Sequence, residues 1–95
     1  MVRGEVKSLR ITLEALETGV LGYVYLQDIP AGGVGRTVEV RPSVMADYDG
    51  EGRLLGVEFL DAREADAAFM RALAKQLKCP ELNGIDLAEM SKTPA

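Results

Sequence analysis

The change in apolar spacing near Asp61 constrains the fold of this chain more than any other sequence feature. Before it, Leu55, Val57 and Phe59 alternate with other residues, as in a strand with one buried face. After it, segment 61–78 places its apolar residues at helical spacing. A strand that leads into a helix in so short a chain predicts an α+β fold.

The predicted helix spans residues 61–78 and begins at Asp61. Asp61 is the predicted N-cap, and Glu64 three residues later completes the pattern of a capping box. One face of this helix carries Ala65, Phe69, Leu73 and Leu77. Pro80 cannot continue the helix. We expect the apolar face to pack on Leu55, Val57 and Phe59.

Four predicted strands make an antiparallel meander over residues 6–60. They are residues 6–13, 20–27, 36–40 and 53–60. Residues 28–35 are rich in glycine and predict a loop, and extension resumes after Pro42. Residues 79–95 form a tail in which 86–90 makes one helical turn. At 95 residues the chain is expected to be a single domain.

Composition and charge exclude several classes of function. The net charge is −4, with Lys and Arg scattered among Asp and Glu, so we expect no nucleic-acid binding. No apolar run reaches the length of a signal peptide or a membrane span, which predicts a cytoplasmic protein without membrane contact. The chain has no histidine, and its one cysteine, Cys79, follows the predicted helix. We therefore expect no enzymatic activity and no cofactor.

The acidic segment at residues 46–58 has the spacing of a calcium loop. Asp47, Asp49, Glu51, Gly52 and Glu58 occupy positions 1, 3, 5, 6 and 12 of such a loop. An EF-hand loop joins two helices, whereas both flanks here favour strands. We therefore predict a solvated hairpin turn in which Gly52 adopts positive φ. A metal contact by Asp47, Asp49 and Glu58 remains the alternative.

A second motif, "AGGVGRT" at residues 31–37, weakly resembles a phosphate-binding loop. That motif requires a lysine before its Ser or Thr and a helix after it. Here Arg36 precedes Thr37 and a strand is predicted to follow. We therefore predict an inter-strand loop.

The segments "GYVYLQ" and "VGRTVEVRPSVMADYDGEGRLLGVEFLDA" resemble the YuzE-like family of small bacterial proteins, a domain of unknown function. The resemblance covers residues 9–62. Where the family often has an acidic turn between its first strands, this chain has "TLEALETGVLG". The resemblance implies a small antiparallel sheet with a helix and no known enzymatic activity. Some members of that family are thought to be antitoxin-like partners of a small basic ribonuclease-type toxin, and the resemblance implies such a role here. The acidic net charge of this chain would favour contact with a basic partner.

We favour a non-enzymatic protein-interaction module that associates with itself and has a toxin-like protein as a further partner. The alternative is a small ligand- or metal-binding protein or enzyme. It would use the carboxylates of Asp47, Asp49, Glu58 and Asp61. A nucleic-acid-binding antitoxin is a weaker third hypothesis.

The sheet face opposite the predicted helix is the expected homodimer interface. It would carry Leu21, Tyr23, Tyr25, Leu54 and Leu60. An exposed apolar patch of this size is uncommon on a monomer. The alternative is that the tail folds back over this face and covers it with Leu82, Ile85, Leu87 and Met90.

Overall fold

The computed structural model describes residues 9–92 of the chain. In that part, five strands are followed by two α-helices: β1 (Arg10–Leu16), β2 (Gly19–Tyr25), β3 (Arg36–Arg41), β4 (Val44–Tyr48), β5 (Leu54–Phe59), α1 (Ala67–Leu77) and α2 (Leu87–Ser91). The strands form one sheet in the order β1-β2-β5-β4-β3. The predicted α+β class with an antiparallel sheet is confirmed.

The chain divides into two compact units. Unit one contains the described residues 9–12 and 23–58, and unit two contains residues 13–22 and 59–92. Unit one thus holds β3, β4 and most of β5, and unit two holds both α-helices.

The predicted count of four strands is wrong because a tight turn divides the third predicted strand from its continuation. Pro42 fixes φ at the first corner of this turn, and Ser43 takes a φ of 66° at the second. Arg41 then pairs with Val44, so β3 and β4 form a hairpin. Serine seldom takes positive φ, so the residue type at position 43 was a weak signal for this turn.

The simple meander is also wrong, because β2 lies beside β5 rather than β3. The long loop between Tyr25 and Arg36 allows the chain to place β3 at the far edge of the sheet. The strand predicted after the "AGGVGRT" loop is confirmed as β3. The first strand runs three residues further than predicted, to Leu16, and its predicted start at residues 6–8 lies outside the described residues.

The helix begins at Ala67 rather than near Asp61. Asp66 is its N-cap, and its Oδ1 accepts a hydrogen bond of 2.9 Å from the Phe69 N–H. Asp61 instead caps a short 3-10 helix at Ala62–Glu64. The predicted capping box is therefore wrong, because its two residues belong to this separate turn.

α1 ends in a left-handed residue and not at Pro80 directly. Lys78 has a φ of 55°, and the Cys79 N–H donates to the Ala74 carbonyl at 2.8 Å. This is the bonding pattern of a Schellman motif. Helix α1 therefore ends at Leu77. A 3-10 helix follows at Pro80–Leu82.

The core of unit two joins α1, the tail and part of the sheet. Phe59 and Phe69 meet edge to face with ring centroids 6.5 Å apart. This contact lies within unit two, and it confirms that Phe69 of the helix packs on Phe59 of the strand, as predicted. The predicted helical turn in the tail is confirmed as α2, capped by Asp86. Leu82 and Leu87 are fully buried.

The tail packs on the side of β2 to which Gly22 points. A Cβ at Gly22 would lie 3.2 Å from Leu13, 3.0 Å from Ala62 and 3.9 Å from Leu87. Adjacent strand residues point to opposite sides, so Leu21 faces away from this contact. The alternative that placed the tail over the Leu21 side is corrected by this packing.

Candidate binding face

The half-buried side of unit one carries two tyrosines from β2. Val24 of this strand and Leu26 directly after it are buried in the core, whereas Tyr23 and Tyr25, which alternate with them, are half-buried on the other side. We call this side the tyrosine face. Its central residues are Arg10, Tyr23, Tyr25, Thr37, Asp47 and Gly56.

Gly56 of β5 supplies the space in which the Tyr23 ring lies. A Cβ at Gly56 would be 2.8 Å from Cζ and 2.6 Å from Oη of Tyr23. Any other residue there would displace the ring. A glycine inside a strand often marks such a close approach.

A short hydrogen-bonded chain fixes the outer end of Tyr23. Its hydroxyl donates to Oδ2 of Asp47 on β4 at 2.7 Å. The Thr37 hydroxyl on β3 donates to Oδ1 of the same carboxylate at 2.5 Å. Burial, and then the adjacent Asp47 carboxylate, raise the pKa of Tyr23 well above its ordinary value. Tyr23 therefore remains a neutral hydrogen-bond donor and is unsuited to act as a general base.

Tyr25 is held between an aromatic ring and a cation. Its ring centroid lies 4.4 Å from that of Tyr23, with a tilt of 45° between the planes. The Arg10 guanidinium carbon lies 4.1 Å from the Tyr25 centroid, within the range of a cation–π contact. Both rings are thus ordered before anything binds to them.

The predicted interface residues do not all lie in this unit. Tyr23, Tyr25 and Leu54 belong to unit one, and the structure brings the two tyrosines into direct contact. Leu21 and Leu60 belong to unit two, where Leu21 is half-buried and Leu60 is 46% exposed.

Sequence reasoning missed the supporting residues of the tyrosine face. Arg10, Thr37 and Gly56 were not predicted to contribute, and Asp47 was considered only as a metal ligand or an acid/base group. The glycine in the middle of a strand pattern was the one available signal. The other contacts depend on strand order, which the sequence did not reveal.

Asp49, a residue of the alternative acidic site, has structural partners in unit one. Both carboxylate oxygens of Asp49 serve its own turn: Oδ1 accepts from the N–H groups of Glu51 and Arg53 at 2.9 Å, and Oδ2 accepts from Arg53 Nε at 2.8 Å. These bonds, led by the one from the Arg53 backbone, lower the pKa of Asp49. Gly52 has a φ of 87°, as predicted for the hairpin turn.

Asp61 has a structural environment in unit two. It accepts two hydrogen bonds from the Arg63 guanidinium, at 2.9 and 2.8 Å, and one from the Val20 N–H at 3.4 Å. The side-chain bonds from Arg63 are the main reason that the pKa of Asp61 falls to about 2. Within residues 9–92, no three Asp, Glu or Cys side chains group closely enough to hold a metal ion.

Cys79 is buried in unit two. Burial, and then its hydrogen bond to Glu81, raise the pKa of Cys79 to about 11. At neutral pH the side chain is therefore a thiol, whereas a nucleophilic cysteine needs its thiolate.

Comparison with known proteins gives one result. Residues 22–63 match the model of a family described as a protein of unknown function, DUF2283. Every central residue of the tyrosine face except Arg10 lies within the matched segment. No curated protein and no solved structure matches the chain. The match supports a family of unknown function, and the YuzE-like resemblance stays a prediction.

The helices give a separate result on membrane insertion. Across residues 9–92, no helix has both the length and the apolar character needed to cross a bilayer.

Proposed function

We propose that this protein is a non-enzymatic interaction module that forms a homodimer through the tyrosine face. The observation that carries the proposal is the ordered Tyr23–Tyr25 pair on the half-open side of the sheet. Tyrosine is one of the residues most enriched among the energetically dominant positions of protein interfaces. It brings a large contact area at low entropic cost when its ring is already fixed.

The contacts around the pair support binding rather than core packing. Gly56, Asp47 and Arg10 each restrain a ring that remains partly open to solvent. A ring held in this way loses little conformational entropy when a partner covers it. The surrounding charged residues provide the polar rim that interfaces usually have.

Charge on the two edges of the sheet supports a second copy as the partner. β1 and β3 are the opposite edges, and on the tyrosine face β1 carries Arg10. On the same face β3 carries Glu39, which lies two residues after Thr37. Glu39 is paired with Met45 of β4. A two-fold axis along the strands lays β1 of one copy over β3 of the other. It therefore brings Arg10 of each copy toward Glu39 of the other.

Sedimentation equilibrium at micromolar concentration tests the proposal. The wild type is expected to have the mass of a dimer, and Tyr25→Glu that of a monomer. Val34→Glu is the matched control, since Val34 is an exposed apolar residue in the loop before β3, and it should remain a dimer. A wild-type monomer would overturn the proposal.

Charge reversal provides a second test that avoids loss of a tyrosine. Arg10→Glu should weaken the dimer, and addition of Glu39→Arg should restore it. If the double variant is weaker than the single one, the proposed orientation of the two copies is wrong. The toxin-like partner implied by the family resemblance stays a prediction that this dimer neither requires nor excludes.

A further inference from the structure

Unit two contains a groove lined by positive charge on a chain whose net charge is −4. Arg71, Lys75 and Lys78 of α1 and its C-terminal cap form one wall. Asn83 and Gly84 form the other wall, and the cavity between them is about 860 Å³. We call this the basic groove.

The three cations follow one another at intervals of four and three residues. Arg71 and Lys75 therefore lie on one face of α1, about one turn, or ~5.4 Å, apart, and Lys78 follows as the left-handed residue at the C-cap. The lining, as far as residues 9–92 provide it, contains no acidic residue. Among the residues that the structure describes, none of the three cations forms an ion pair with a carboxylate. Their charge therefore faces the groove without an ion-pair partner among residues 9–92.

The helix dipole explains only part of this arrangement. Cations near a helix C-terminus stabilise it, but the effect is limited to the last turn. Lys75 and Lys78 lie there, whereas Arg71 lies a turn earlier in α1, which ends at Leu77. Arg71 extends the charge along the groove beyond what the helix end requires.

We propose that the basic groove binds an acidic peptide segment of a protein partner. Carboxylates on alternate residues of an extended peptide are ~6.6 Å apart, close to the spacing of Arg71 and Lys75 along α1. Pro80 gives the groove exposed apolar surface for the intervening side chains, and Asn83 offers an amide for the peptide backbone. Gly84, with a φ of 86° and open space where a Cβ would be, allows close approach.

Two other occupants fit less well. A single-stranded nucleic acid needs aromatic side chains on which its bases can stack, and the described part of the chain places none in the groove lining. The acidic hairpin of a second copy fits poorly because Asp49 is bound by Arg53 and its own turn. The basic groove lies outside the family-matched segment and is independent of the tyrosine face.

Fluorescence anisotropy with a labelled peptide of five Glu-Ala repeats tests the proposal on the full chain. The peptide should bind at 50 mM salt and bind more weakly at 300 mM, because exposed ion pairs are screened. The double variant Arg71→Gln/Lys75→Gln should weaken binding about three- to thirtyfold, as expected for two exposed ion pairs. The matched control Arg53→Gln/Lys92→Gln also removes two charges, but both lie outside the groove, and it should bind as the wild type does.

Several results would overturn the proposal. These are no binding of the Glu-Ala peptide at 50 mM salt, equal binding of a Gln-Ala peptide, or tighter binding of a ten-nucleotide thymidine strand. Equal losses of peptide affinity in the groove variant and the control variant would also overturn it. Circular dichroism of each variant checks that it is folded. Because Tyr25→Glu leaves the groove unchanged, failure of the dimer would not affect this test.

Discussion

Each unit contains a strand glycine against which another residue packs, but the two contacts differ in kind. In unit two, Gly22 lies against Leu13, Ala62 and Leu87, all of them apolar. In unit one, Gly56 lies against the ring of Tyr23, whose hydroxyl is bonded to Asp47. The first contact closes a core, whereas the second fixes an aromatic ring that stays partly open to solvent.

This difference separates stability from recognition. Burial of Leu87 is explained by the hydrophobic effect alone. The Tyr23 contacts combine a glycine, a carboxylate and a threonine to orient a ring that the core does not need. Stability should therefore depend most on the Gly22 side, and self-association on the Gly56 side.

The largest loss of stability is expected for Leu87→Ala. Leu87 is fully buried, and truncation should lower the free energy of unfolding by about 2–5 kcal/mol. Urea unfolding followed by circular dichroism measures this loss. Met90→Ala, at a residue of the same helix that is 40% exposed, is the control and should change it by less than about 1 kcal/mol. Equal losses would show that Leu87 is not a core residue.

An intermediate effect is expected for Gly56→Ala. The new methyl group would overlap the Tyr23 ring and displace it, at a cost of about 1–3 kcal/mol. The near-ultraviolet circular dichroism of the tyrosines should weaken, and the dimer should dissociate. Gly22→Ala is the matched control: it should destabilise the protein while preserving the tyrosine signal. An unchanged signal in Gly56→Ala would contradict the role assigned to this glycine.

A smaller effect is expected for Tyr23→Phe. It removes the hydrogen bond to Asp47 and keeps the ring, so it should cost about 0.5–1.5 kcal/mol. Tyr25→Phe is the control, since it also removes a tyrosine hydroxyl and keeps the ring contacts with Tyr23 and Arg10. Thermal melting compares the two variants. A cost for Tyr25→Phe as large as that for Tyr23→Phe would argue against the Asp47 bond as the reason.

The smallest effect, and one that depends on pH, is expected for Asp61→Asn. The folded-state pKa of about 2 lies below the ordinary value of 3.8, so the ionised carboxylate stabilises the fold above pH ~4. That contribution is lost as the pH falls toward 2. The melting temperature of Asp61→Asn should therefore lie below that of the wild type at pH 7 and approach it at pH 2. A difference that persists unchanged at pH 2 would contradict the assignment.

The sequence predicted those features that depend on local spacing. Alternation at Leu55, Val57 and Phe59 identified β5, and the tail turn at 86–90 was identified as α2. Asp61 and Asp66 both suit an N-cap, but Asp66 caps α1, whereas Asp61 caps the 3-10 helix and also accepts from the N–H of Val20, 41 residues away in the sequence. Such long-range contacts are invisible in a local pattern.

The candidate sites were harder to predict because they depend on which strands are neighbours. Tyr23 and Tyr25 were identified from their alternation, but the Asp47 contact requires the order β2-β5-β4. The basic groove was missed because the net charge of −4 and the scattering of Lys and Arg along the chain argued against a local basic patch. It becomes visible only when α1 and the segment after it are placed together.

The most direct test of the tyrosine-face dimer is an isotope-filtered NOE experiment on a mixture of labelled and unlabelled protein. The account predicts intermolecular NOEs from the ring protons of Tyr23 and Tyr25, in particular to the methyl group of the partner's Met45. A dimer whose intermolecular NOEs involve neither tyrosine would contradict the account, as would the absence of intermolecular NOEs altogether.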